Sequence, residues 1–208
     1  WPAVILCCFL LSEGVLHTQD KWIYYIRLLL FALLAEIPFN LLNFGTRINT
    51  DLQNFLFTLL LCYCLLYGVD FIRLRTDNLA ATLLAELIAL TVGIDLSQLL
   101  HLQFGPFAVL CSILCYISVR VTYSNWMRIA GLLAICFNLP GVETVSIALS
   151  SLRLTVPETA AAFPALLLIA FYNGKRGTND LRVRYASYLF YPVVTAFVAL
   201  LSYSGITI

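Results

Sequence analysis

The sequence predicts an all-α, polytopic transmembrane bundle of about eight helices, and three observations predict it. Apolar residues make up 62% of the 208-residue chain and charged ones only 11%, with a mean hydropathy of +0.93. Soluble domains do not have that balance. The apolar runs recur almost end to end at roughly 17 to 25 residues, the length that crosses a hydrocarbon core. They lack the alternation of barrel strands, and backbone polar groups in lipid must be paired within the segment, which leaves helices. A net charge of +1 gives no electrostatic footprint for nucleic acid.

The candidate spans, in order, are 1–18, 21–42, 52–70, 79–99, 104–121, 124–140, 157–173 and 185–205. The first opens at Trp1-Pro2, without Met and already inside an apolar run, so a preceding helix is expected to be missing. Nothing before Lys21 supplies the basic start of a cleavable signal. The second, "WIYYIRLLLFALLAEIPFNLLNFG", carries Arg27 near its start, Glu36 within it, and then Pro38 and Asn40. Pro38 lacks a donor and clashes with the carbonyl of Leu34, so a kink beside a polar cavity is expected there. "NFGTRINTD" and "DFIRLRTDN" read as the connections on either side of the third span. The fourth carries Glu86 and Asp95. After the sixth, "NLPGVETVSIALSSLRLTVPE" reads as a surface helix or re-entrant segment, and "NGKRGTNDLRVR" separates the last two spans. With no repeat or linker, residues 1–208 are one domain.

Basic residues bias the orientation. Lys21, Arg27, Arg73, Arg75, Arg120, Arg128, Lys175, Arg176, Arg182 and Arg184 flank odd-numbered connections, whereas the even ones hold Arg47 and Arg153. The excess marks the cytoplasmic side, which places His17 and Asn173–Gly177 there. The seven Cys show no metal spacing and read as packing residues. The two His, His17 and His101, fall on opposite sides, so no metal is expected.

Three places could carry chemistry. Glu13 and His17 stand at i and i+4, one above the other on a helix face, where a carboxylate can orient an imidazole for acid–base work. The alternative is a helix end anchored in water, with Glu13 paired to Lys21 or Arg27. Glu36, followed by Asn40, is an ionisable group at depth, which marks a polar cavity or a structural pair. "FYNGKRG" sets Lys175 and Arg176 between Gly174 and Gly177, a pattern of exposed amides and cations that suits phosphate, or else a positive-inside turn. "YASYLFYP" adds Tyr185, Tyr188 and Tyr191, which also fit an interfacial belt.

These stretches together resemble the TraX family of membrane proteins: "WPAVILCCFLLSEGVLHTQDKWIYYIRLLLFALLAEIPFNL", "NFLFTLLL", "FYNGKRG" and "YLFYP" match it in order and spacing. The likeness marks Glu13, Gly14, His17, Thr18, Arg27, Glu36, Pro38 and Phe39, then Tyr172 to Gly177, Tyr191 and Pro192. It implies an acyltransferase of the bacterial inner membrane, related to membrane acyl-CoA acyltransferases and named for conjugative pilin acetylation. Acetyl-CoA would be the donor and a pilin-like N-terminus the acceptor. On that reading His17 and Glu13 are catalytic. Lys175, Arg176, Gly174, Gly177, Asn173 and Arg27 bind the cofactor, and Glu36, Asn40, Tyr172 and Tyr191 line a polar cavity. On that resemblance, relatives usually carry an earlier Asp-His pair that would precede Trp1, and many have a His where this chain has Val194. Two rival readings are a non-catalytic assembly protein and a polar-solute transporter using Glu36, Glu86 and Asp95.

Overall fold

The computed structural model describes residues 1–76, 78–121, 125–138, 143–149, 152–172 and 181–203. Each apolar run folds as a helix: α1 (Pro2–His17), α2 (Lys21–Phe44), α3 (Phe55–Thr76), α4 (Leu79–Leu99), α5 (Gly105–Val121), α6 (Asn125–Asn138), α7 (Phe163–Ala170) and α8 (Leu181–Tyr203). Of these, α2, α3 and α4 are long and apolar enough to cross a bilayer, and the others contribute shorter apolar stretches among the described residues, such as Tyr188–Ser202 of α8. Leu30, Leu33, Leu34 and Ile37 on α2, Leu83, Leu84, Leu87 and Ile88 on α4, and Phe190, Val193, Phe197 and Leu200 on α8 face outward. Apolar faces this extensive belong against lipid, and the protein is a helical membrane protein.

Local chemistry sets the helix ends. Asn78 caps α4 by accepting from the Ala80 N–H at 2.9 Å. Gly45 closes α2 in the left-handed region, φ 66°, and its N–H reaches the Leu41 carbonyl at 3.1 Å. Two boundaries differ from expectation. The stretch "DFIRLRT", expected as a connection, continues α3 to Thr76, because Asp70 and Arg73 pair one turn apart and basic residues suit a helix C-terminus. The seventh span is shorter than expected. Its first residues form strand and a 3₁₀ turn, Glu158–Ala162, leaving eight residues of helix. The segment expected as a surface helix or re-entrant loop is instead an antiparallel hairpin, β1 (Thr144–Leu149) with β2 (Leu152–Pro157), in which Thr144 faces Pro157 and Leu149 faces Leu152. Its apolar residues recur with period two, Val145, Ile147 and Leu149 on one run and Leu152, Leu154 and Val156 on the other, and with its β-branched content this favours strand over helix.

α1 lies at the centre, against α3, α5 and α7. α5 also packs on α3, α4 and α6, while α8 packs along α2. Ile5, Val15, Leu66, Val109 and Tyr116 are wholly enclosed in the core these helices share. Ser12 on α1 stitches it to α5 by donating to the Ser112 carbonyl at 2.9 Å. Small residues let helices close up: a Cβ on Gly93 would lie 2.6 Å from Leu65 Cδ1 and 2.9 Å from Val109 Cγ1. Of the seven cysteines, Cys8, Cys62, Cys111, Cys115 and Cys136 are buried in this packing.

Candidate functional site

Successive helices run in opposite directions through short connections, so the end of α1, the start of α2, the end of α3, the start of α4, the end of α5 and the start of α6 meet at one end of the bundle. Three carboxylates and their cations gather there. Glu13 Oε2 lies 3.4 Å from His17 Nε2, and Glu13 Oε1 lies 4.0 Å from Arg128 Nη1 on α6. Glu13 thus stands between an exposed imidazole, 65% accessible, and a guanidinium that keeps only 4%. Arg128 is fixed from two sides: its Nε donates to Ser118 Oγ at 3.1 Å, and it lies 4.8 Å over the Phe9 ring. Its Nη1 is buried without a hydrogen-bond partner.

The Phe9 ring in turn meets Tyr172 edge-on at 5.1 Å. Burial pushes the Tyr172 phenol upward, the Glu13 charge adds to that, and Arg128 opposes it. Tyr172 thus sits within the electrostatic reach of Glu13 and Arg128 at this end of the bundle. A second cluster sits on α3. Asp70 accepts from Arg73 Nη2 at 2.8 Å and from the Tyr116 hydroxyl at 3.0 Å, with Lys21 Nζ 3.9 Å away. The third is the Glu86–Arg120 ion pair, with Arg120 5.9 Å from the face of Tyr116. Tyr116 therefore joins the second cluster to the third.

The residues expected to share one polar cavity are divided between the two ends of the bundle. Tyr172 stands with Glu13, whereas Glu36 and Asn40 lie toward the far end of α2. There Glu36 accepts from Asn40 Nδ2 at 3.1 Å and from Asn54 Nδ2 at 2.5 Å. Tyr191 on α8 is close enough to Glu36 to feel its charge. Asn54 also donates to the Ala32 carbonyl at 2.9 Å and accepts from the Leu56 N–H at 3.0 Å, so one side chain caps α3 and ties it to α2. Arg27 reaches α8, 5.6 Å from the Tyr185 ring centre. Asn173, Gly174, Lys175, Arg176 and Gly177 lie outside the described residues. Of the three acidic groups of the transporter reading, Glu86 pairs with Arg120, Glu36 accepts from Asn54, and Asp95 is exposed on α4. His101 lies in the turn before α5, at the opposite end from His17. No metal-binding group of three His, Cys, Asp or Glu occurs among the described residues.

Sequence reasoning missed Asp70, Tyr116 and Ser118, and it counted Arg73, Arg120 and Arg128 only as loop-flanking charges. The available signal was Asp70 at i and i+3 with Arg73 inside an apolar run.

Comparison with known proteins adds a family and a relative. The family described as "TraX protein" matches residues 3–202. A protein of Dichelobacter nodosus, "Probable fimbrial assembly protein FimC, serogroup H1", is 29% identical over 195 residues, covering 90% of this chain and 75% of its own length. No solved structure matches the chain.

Proposed function

The chain belongs to the TraX family, and from that premise we propose that it is an integral membrane acyltransferase that moves an acetyl group from acetyl-CoA to a membrane-associated or exported acceptor such as a pilin N-terminus. The single observation that supports this reading is the juxtaposition of Glu13, His17, Arg128 and Tyr172 at one end of the bundle. Asn173–Gly177 follow Tyr172 directly in the chain. On this reading Lys175 and Arg176 hold the donor's phosphates, with Asn173, Gly174, Gly177 and Arg27 contributing, and that end faces the cytoplasm of a bacterial inner membrane, where acyl-CoA is found.

The chemistry assigns each residue one task. The acceptor's amine or hydroxyl attacks the thioester carbonyl as the exposed His17 imidazole accepts its proton. The carbon–sulfur bond then breaks, and the leaving CoA thiolate takes that proton back from the His17 imidazolium, which restores the neutral imidazole. Glu13, held between His17 and Arg128, orients the imidazole and stabilises the imidazolium formed during transfer. Tyr172 supplies a hydroxyl donor beside the carboxylate.

The test is transfer of labelled acetyl from acetyl-CoA to material in native membranes, for the wild type, His17→Ala and Lys175→Ala/Arg176→Ala. The proposal expects a labelled product that both variants lose. An unlabelled wild type without acetyl-CoA affinity would overturn it in favour of a non-catalytic assembly protein. That second reading is favoured by the name of the fimbrial relative and by Val194, which replaces a family histidine.

A further inference from the structure

Beside the Glu13–His17 cluster, a cavity of about 220 Å³ opens between the start of α2 and the middle of α3, lined by Lys21, Trp22, Tyr25, Tyr63, Cys64 and Tyr67. Four of its six walls are aromatic. Trp22 and Tyr25 stand edge to face with centroids 6.0 Å apart, and Tyr63 and Tyr67 lie nearly parallel, 6° apart in plane at 6.3 Å. Tyr63 is 2% accessible, stacks on Tyr24 at 4.9 Å and donates its hydroxyl to the Lys21 carbonyl at 2.8 Å. It is thus a fixed wall, tied to the backbone that carries Lys21. The exposed rings of the lining are Trp22, at 73% accessible, and Tyr67, at 39%, and Tyr63 backs them from the core.

Charge narrows the occupant. Lys21, the charged residue of the lining, donates to the Val15 carbonyl and shares with Arg73 the single carboxylate of Asp70, at 3.9 Å and 2.8 Å. Two cations against one anion leave excess positive charge, which disfavours a quaternary ammonium, the usual guest of an aromatic cage. It favours a ligand carrying both a flat ring and phosphate. Sites for whole drug-sized ligands run to about 300 to 1,000 Å³, so this volume suits one ring system rather than an entire molecule. Base–aromatic stacking is tolerant of ring identity and needs only exposed π faces.

We propose that the cavity formed by Trp22, Tyr25, Tyr63 and Tyr67 is the subsite for the adenine ring of a nucleotide-bearing acyl donor, with Lys21 toward its phosphates. The proposal rests on the acyl-CoA reading and assigns the half of the donor farthest from the thioester. The acyl-bearing arm then runs from the cavity toward His17, four residues before Lys21 on the same end of the bundle.

The test is calorimetric binding to the protein in lipid nanodiscs, using CoA, adenosine 3′,5′-bisphosphate and pantetheine as separate probes. Trp22→Leu and Tyr67→Leu alter exposed walls, and Tyr67→Phe preserves the ring. Each Leu variant should weaken CoA and the bisphosphate roughly tenfold or more, the effect of losing one stack, and leave pantetheine unchanged. Tyr67→Phe should bind as the wild type does. CoA binding equally to the wild type and both Leu variants would overturn the subsite while leaving the acyl-CoA reading intact. Bisphosphate binding that needs Trp22 and Tyr67, in a protein without acetyl transfer, would uphold the subsite and sink the acyltransferase. Absence of binding by every adenine probe, with Trp22 fluorescence instead following the anionic-lipid content of the disc, would overturn it in favour of a lipid headgroup.

Discussion

Glu86→Gln should leave the Arg120 guanidinium buried without its counter-charge. The two side chains keep 5% and 13% of their exposure, and stripping one partner from a buried pair costs about 3 to 5 kcal/mol. Arg120 retains the Tyr116 ring face at 5.9 Å, a contact of about 0.5 to 2 kcal/mol, and a glutamine oxygen can still accept from it. The expected loss is therefore about 2 to 4 kcal/mol, at the lower edge of the range for broken pairs. Arg120→Met leaves Glu86 with no such substitute, so it should cost the full amount, about 3 to 5 kcal/mol. The double variant Glu86→Leu/Arg120→Met removes both charges and should return to within about 1 kcal/mol of the wild type, because two apolar side chains need no desolvation. Reversible unfolding in mixed detergent micelles, read by tryptophan fluorescence, gives the three free energies and their coupling. Two near-neutral single variants, or a double variant as unstable as the sum of its parts, would refute the claim that this pair is desolvated and mutually dependent.

Asn54→Ala removes the cap of α3 together with the bonds to Ala32 and Glu36. A cap alone is worth about 1 kcal/mol and a stranded buried acceptor about 1 to 3, so a loss of about 2 to 4 kcal/mol is expected in the same unfolding assay. Gly93→Val brings a β-branched side chain against Leu65 and Val109, where even a Cβ sits at 2.6 and 2.9 Å. Overpacking of this kind costs about 1 to 3 kcal/mol and should lower the thermal midpoint measurably. Two glycines predict opposite signs: Gly68→Ala, inside α3 with open space around it, should stabilise by about 0.5 to 1 kcal/mol. Gly45→Ala, at φ 66°, should destabilise by about 1 kcal/mol or more.

Helix positions were legible because hydropathy in a bilayer is a local property: a run either is or is not long and apolar enough. The i, i+4 spacing of Glu13 and His17 was legible for the same reason, and their side chains do meet. Arg128 was not legible as the third member. It comes from α6, and only the packing of α6 against α5 and α7 brings it to α1. Its basic charge also had a ready local explanation as a topogenic flank, which concealed its burial. The hairpin was misread because a helical expectation suits a polar exit in an all-helical chain, although its apolar alternation was in plain view. Grouping Tyr172 with Glu36 failed because both lie near apolar helix ends, and sequence distance says nothing about which end of the bundle each occupies.

The buried ions themselves argue for more than structural anchoring. Glu86 with Arg120, and Asp70 with Arg73 and Tyr116, are pairs in which each carboxylate stands directly against its cation, although Arg73 Nε is itself buried without a hydrogen-bond partner. A membrane protein could replace them with apolar side chains at little cost or even a gain in stability. The Glu13 cluster differs in kind. Its arginine approaches the carboxylate to 4.0 Å without a hydrogen bond, and a donor on that arginine is buried unused. The imidazole on the other side of the carboxylate is open. A carboxylate held between a buried guanidinium and an imidazole that is 65% accessible keeps one partner open to a second molecule, and that openness distinguishes Glu13 and His17 from the enclosed Glu86–Arg120 pair beside them.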